Sequence, residues 1–320
     1  MKRVVLIGFL ATVLASSIAM AQADDDAEKT VGWFNTTELS LVVTEGNSST
    51  DTFAFKNLLT RAWERSRFEL LLDWMRSNSS DDRFLLADPG QTFLPGESPM
   101  LTATTLITPS KESDAEKYFF EGEFTKEFGG NQQWNAGGSW GRNEDAGILN
   151  RYVVFGGIGH HWENGEKLDV ETSYGLSFND REEETPDPEK ERQFPGVRLA
   201  MDLDYKIWPT TMLAYDFTGI LNLKDTKDFS VNTTGSASVS MNKRLALRLS
   251  LQFLFNSEPA LEDVDVIARL ELVDPDGIPG SGDEFFQTLA DGGIEIDTGN
   301  RRLRKEELDT VFRASLVVNF

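Results

Sequence analysis

Along much of this chain, apolar and polar side chains alternate one by one. Val197, Leu199, Met201, Leu203, Tyr205 and Ile207 share one face of a segment whose other face carries Arg198, Ala200, Asp202, Asp204 and Lys206. Leu168, Val170, Thr172, Tyr174, Leu176 and Phe178 alternate with Asp169, Glu171, Ser173, Gly175, Ser177 and Asn179, and the leucine-rich stretch from Leu245 to Asn256 repeats the rhythm. Neighbouring side chains on a strand point to opposite sides, so this period predicts strands with one apolar and one polar face. A helix would scatter the same charges all round its axis.

Twelve segments of this kind follow one another: Trp33 to Thr44, Asp51 to Trp63, Phe68 to Ser77, Lys117 to Phe128, Gln133 to Arg142, Arg151 to Trp162, Leu168 to Asn179, Val197 to Trp208, Thr211 to Leu223, Phe229 to Met241, Leu245 to Asn256 and Leu308 to Phe320. Strands of soluble proteins centre on about 5–6 residues, and these run to about a dozen. At a tilt of about 40° a dozen residues rise about 30 Å, enough to cross an outer membrane. The second segment is untidy, because Asn57 and Arg61 interrupt its apolar face.

The connections alternate in length. Short ones lie at Glu64 to Arg67, Gly129 to Gln132, Glu163 to Lys167, Pro209-Thr210 and Asn242 to Arg244, whereas 78–116, 180–196 and 257–307 are long. Barrels of the outer membrane have short periplasmic turns and longer outside loops. The expected fold is therefore all-β, an antiparallel transmembrane barrel of about twelve strands. In the last segment Phe312, Ala314, Leu316, Val318 and the terminal Phe320 share one face. An alternating strand closed by an aromatic looks like the signal that such barrels present to their insertion machinery. Trp33, Trp63, Trp74, Trp134, Trp140 and Trp162 sit near strand ends, where aromatic girdles belong.

The first residues fit export. Lys2 and Arg3 precede the apolar run Val4 to Ile18, which is too short to span a bilayer, and small residues at Ala19, Ala21 and Ala23 fit a cleavage site. The expected division is a signal peptide over 1–21, an acidic leader over 22–32 and a barrel over 33–320, placed in the outer membrane of a Gram-negative bacterium. Outer-membrane lipid and lipopolysaccharide are then its surroundings. The chain of 320 residues has no cysteine, which removes disulfides, thiolate metal sites and thiol catalysis. Its net charge of −22 argues against nucleic acid as a partner. The three long loops hold most of that charge, with 28 acids against 10 bases. Such a rim either stays solvated and repels anions or binds divalent cations.

Candidate chemistry is sparse. Asp274 and Asp276, then Asp283 and Glu284, supply oxygens between glycines as a calcium loop does, but Pro279-Gly280 break the spacing of an EF-hand. No other cofactor is expected. His160 and His161 are adjacent, so the first faces out and the second inward near the short-turn rim, and no motif marks Ser173 or Ser177 as a nucleophile beside them. No enzyme activity is expected. The polar face carries Glu38, Glu69, Asp73, Glu121, Glu123, Asp169, Glu171, Asp202, Asp204 and Asp216 against Lys56, Arg198, Lys206, Arg248 and Arg313. These either form ion pairs that fill the interior or line a water-filled path whose acidic excess favours cations, with small ions or solutes as cargo.

Two stretches resemble a known family. Trp33 with Glu38-Leu39-Ser40-Leu41 and Glu45-Gly46-Asn47-Ser48-Ser49-Thr50, and the close from Leu308-Asp309-Thr310 to Leu316-Val317-Val318-Asn319-Phe320, look like the salt-induced outer-membrane proteins of proteobacteria, the YdiY-like domain of unknown function. The resemblance implies an outer-membrane barrel, with an envelope-stress role as one expectation, and it transfers no catalytic residue. Sequence alone thus points to a narrow cation-preferring pore, or alternatively to a closed barrel with calcium- or partner-binding loops. A hydrolase working through His161 is the remaining reading.

Overall fold

The computed structural model describes residues 31–45, 51–79, 84–95, 97, 100–107, 113–164, 167–275 and 284–320. The expected signal peptide and nearly all of the acidic leader lie outside these residues. The described strands, in chain order, are β1 (Gly32–Glu45), β2 (Asp51–Trp63), β3 (Ser66–Ser79), β4 (Phe84–Ala87), β5 (Thr92–Phe93), β6 (Ala103–Ile107), β7 (Ser113–Gly129), β8 (Gln132–Asn143) and β9 (Ile148–Asn164). They continue as β10 (Leu168–Glu183), β11 (Gln193–Trp208), β12 (Thr211–Asn222), β13 (Phe229–Ser240), β14 (Leu245–Asn256), β15 (Leu261–Val273), β16 (Phe285–Thr288), β17 (Ile294–Arg304) and β18 (Leu308–Asn319). No helix occurs among the described residues.

Twelve of these strands close into an antiparallel barrel in the order β1-β18-β14-β13-β12-β11-β10-β9-β8-β7-β3-β2. They coincide with the twelve alternating segments of the sequence to within a few residues at each end. Closure joins the first strand to the last, with Leu39 opposite Leu316 and Leu41 opposite Ala314. Alternation explains the two faces. Leu39, Leu41, Val154, Leu176, Leu247 and Leu249 are all about half exposed or more on the outside, while Glu38, Ser40, Arg313 and Ser315 are buried within. On β18 the outward set is Phe312, Leu316 and Val318, as the period requires, and Phe320 follows directly after the strand, with Phe312 41% and Phe320 60% exposed.

The two untidy residues of β2 have partners on the outer face. Arg61 lies between the rings of Trp33 and Trp63, 5.5 and 5.4 Å from their centroids. Asn57 donates to Asn35 Oδ1 at 3.0 Å and to Thr37 Oγ1 at 2.9 Å, so its amide is satisfied by neighbours on β1. Trp134, Trp162 and Trp208 extend the same exposed aromatic rim at the short-turn end.

The two longest connections are not irregular loops. Residues 84–107, inserted between β3 and β7, and residues 261–304, inserted between β14 and β18, pair into one six-stranded sheet ordered β5-β16-β15-β4-β6, with β17 also paired antiparallel to β15 over Leu261 to Leu270. The period of two on β15 buries Val264, Val266, Ala268 and Leu270 against Leu85, Ala87, Phe93, Leu101 and Ala103. Their alternation is shorter and more acidic than that of the barrel strands, which is why charge hides it in the sequence.

This outer sheet is fastened to the long-loop rim. Lys305 donates to Asp145 O at 2.8 Å, Arg304 pairs with Asp187 at 3.1 Å, and Lys190 donates to Glu258 O and Pro259 O at 2.5 and 3.1 Å. Lys190 also pairs with Glu183 at 3.0 Å. Burial pushes the Lys190 ammonium below the usual lysine range, nearby Arg181 adds to this, and Glu183 opposes it.

Candidate functional site in the barrel interior

The inward face holds three layers that differ in chemistry. Nearest the short turns is an acidic layer. Glu171, Asp202 and Asp216 lie directly across from one another on β10, β11 and β12, and on the next row Asp169 faces Asp204. On the opposite wall Glu69 faces Glu123. Like charges set directly opposite on neighbouring strands destabilise each other, so water or counter-charge must reach them. Asp202, Asp204 and Asp216 are exposed to solvent although they point inward, and the Asp169 side chain is 55% exposed.

Arg67 bridges the two acidic walls. Its Nε lies 3.1 Å from Glu69, and its Nη2 lies 2.5 Å from Glu171 on a strand three positions beyond its neighbour. Sequence reasoning left Arg67 in a turn, yet extending the period of β3 by one residue turns it inward. His161 Nε2 lies 2.7 Å from Asp169 within the same layer, whereas His160 stacks outside against Trp162 and Tyr174. The two histidines thus occupy opposite faces, as adjacency dictates.

The middle layer is a set of ion pairs. Arg313 on β18 reaches Asp73 on β3 at 2.9 Å, and Arg248 on β14 pairs with Glu38 on β1. Glu38, Lys56 and Asp73 form one row across β1, β2 and β3. Arg198 lies 4.0 Å from Glu123 across the interior, with its guanidinium 4.0 Å above the ring of Phe155. Here glycines meet across β9 and β10, with Gly175 opposite Gly157. A Cβ on Gly175 would fall 2.2 Å from Gly156 O. Of the charges expected inside, Glu121 and Lys206 also take inward positions by their register with neighbouring strands.

The layer nearest the long loops is apolar on one side and polar on the other. Val42, Ala54, Met75 and Val311 are buried against one another, with Leu254 packed beside them. Their strands, β1, β2, β3, β18 and β14, are contiguous in the barrel. From the other side Arg151 on β9 donates to Ser230 on β13 at 3.0 Å, and Arg181 on β10 pairs with Asp228 at 3.1 Å. Between these regions, β13 contributes only small polar side chains to the interior, among them Asn232, Thr234 and Ser236. Exposed Asn232 shows that solvent reaches one rung below Ser230.

The proposed calcium ligands are not brought together in the described residues. Asp276 and Asp283 lie outside them, Asp274 follows β15 and Glu284 precedes β16. Among the described residues no group of three metal-type side chains converges.

Residues 37–273 match the profile of the family described as "Protein of unknown function, DUF481". The chain belongs to this family. The match includes the first of the two resembling stretches from Thr37 onward and stops before the second. No curated protein matches the chain. Among solved structures, a NanC porin is 8% identical with a TM-score of 0.46, over 88% of this chain and 98% of that one. The anion-selective porin from Comamonas acidovorans is 8% identical with a TM-score of 0.37, over 91% and 99%. OmpT, an outer membrane protein of Vibrio cholerae, is 8% identical with a TM-score of 0.38, over 91% and 99%. No solute or charge preference passes from these proteins to this chain.

Proposed function

We propose that this DUF481 chain resides in the outer membrane of a Gram-negative cell and conducts small cations through a narrow interior path. The apolar outer face, the exposed aromatic rim at the short turns and the alternation of short and long connections support that placement, with the short turns on the periplasmic side. The observation that carries the conduction reading is the solvent exposure of Asp202, Asp204 and Asp216, three inward carboxylates on adjacent strands. Carboxylates lining a water-filled path favour cations over anions. The test is single-channel conductance of the refolded protein in a planar bilayer under a salt gradient. Steady currents with a reversal potential of cationic sign support the reading, and a silent bilayer sinks it.

A closed barrel is the second reading, favoured by the apolar layer of Val42, Ala54, Met75 and Val311. Its business would lie on the acidic outer loops and sheet, with calcium or a surface partner as ligand. Protection of that region from protease by calcium, with no conductance, is its signature. The salt-induced, YdiY-like naming rests on the residues at the two ends of the chain, and expression under osmotic challenge tests it.

A further inference from the structure

The outer constriction is made of parts held with unequal strength. Arg181 is locked: its guanidinium pairs with Asp228 at 3.1 Å and with Glu183 at 3.2 Å, and its side chain is 3% exposed. Asp228 is occupied further by Asn222, which donates to Oδ2 at 3.0 Å, and Glu183 is shared with Lys190. Arg151 stands directly opposite Arg181 in the β9–β10 register. Nearby carboxylates are thus taken by other groups, and the neighbour that faces Arg151 repels it. Among the described residues no carboxylate lies within ion-pair distance of Arg151. Its hydrogen bond is to a neutral hydroxyl, Ser230 Oγ, on a strand separated from its own by three others.

A guanidinium that spans the interior on one neutral hydrogen bond is held by fewer polar contacts than Arg181, which makes two ion pairs. We propose that Arg151 is the bar of an outer gate, which sets both the width of the path and the ease with which cations enter it. Seated on Ser230, it narrows the passage between β9 and β13 and places a positive charge above the acidic layer. Swung away, it leaves the small side chains of β13 facing the outer mouth. The locked Arg181 and the apolar layer stay in place and form the fixed side of the gate. The electrical consequence rests on the conduction reading, but the motion of the bar does not.

The absence of cysteine from the chain allows the gate to be tested alone. Asn232→Cys places one thiol just inside the bar, and a charged, membrane-impermeant methanethiosulfonate can be added to either side of oriented proteoliposomes. In the parent background the thiol should react slowly from the long-loop side. Adding Arg151→Ala, or Ser230→Ala to release the bar without removing it, should speed that reaction by roughly tenfold. Retained heat-modifiable mobility on a gel confirms that each variant is a folded barrel. Equal labelling rates in the parent and both variants overturn the proposal. In bilayers Arg151→Ala should also raise conductance and cation preference. If labelling accelerates while every bilayer stays silent, the gate stands and the conduction reading falls.

Discussion

Arg313 on β18 donates from Nη1 to both carboxylate oxygens of Asp73 on β3, at 2.9 Å each, although β1 and β2 lie between the two strands. Both side chains are largely buried, at 11% and 19% exposure. Removing one member strands a charge in a poorly solvated place, at a cost of about 3–5 kcal/mol. Asp73→Ala should therefore lower the urea midpoint of the refolded barrel clearly. The double change Asp73→Leu with Arg313→Met removes both charges and should recover most of that loss. Equal destabilisation by single and double variants would show that packing, and not the unmatched charge, sets the cost.

Asp202 and Asp216 face each other across β11 and β12. Neutralising both as Asn should have two effects of opposite sign. Relief of the repulsion should raise stability by about 0.2–1 kcal/mol, while loss of the carboxylates should cut the cation-to-anion permeability ratio by roughly half or more. Reversal potentials and urea titration of the same variant measure the pair. A ratio that stays put would remove these residues from the conducting path.

Gly175 packs against the backbone of the neighbouring strand, and a methyl group there would lie 2.2 Å from Gly156 O. Gly175→Ala should block close pairing of β9 with β10 and abolish the heat-modifiable folded form. Gly235 meets nothing within 4 Å of its added Cβ, so Gly235→Ala should fold normally. Comparable folding yields for the two would refute the steric account.

Lys190 gives a pH signature at the rim. Its folded-state affinity for the proton is depressed, chiefly by burial, below the ordinary value of 10.5. The unfolded lysine binds its proton more tightly, so the penalty is fully present at neutral pH and is relieved as pH rises through the folded value towards 10.5. Relative to Lys190→Met, the parent should gain stability across that alkaline window, read as urea midpoints at successive pH values. A parent that loses ground to the variant there would contradict the sign.

The wall of the barrel was legible in the sequence because one rule governs it: an apolar side chain at every second position. His160 outside and His161 inside, or Phe312 and Leu316 outside with Arg313 inside, follow from parity alone. The interior near the long loops was not legible, because there the alternation fades. Val42 and Val43 are both apolar, as are Val311 and Phe312, so no polar face announces itself. The sequence pattern places Arg67 in a turn and Arg181 in a long loop, and strands reaching a few residues further turn both inward, whereas Arg151 stands first in its predicted strand, where its inward parity draws no notice. Which inward acids pair and which meet water depends on strands brought together by closure, such as β3 with β10 through Arg67 and Glu171, and no local pattern encodes that.

The outer sheet draws β4 from the insertion after β3 and β15 from the insertion before β18, and aligns them in parallel with Val266 opposite Leu85. Those insertions flank the place where the first and last strands of the chain meet. The sheet is therefore a clasp beside the seam: its two halves come from insertions on either side of the closing pair β1 and β18. A slip of register between β1 and β18 would shift one half of the clasp against the other, so the sheet ties the two sides of the seam together a second time.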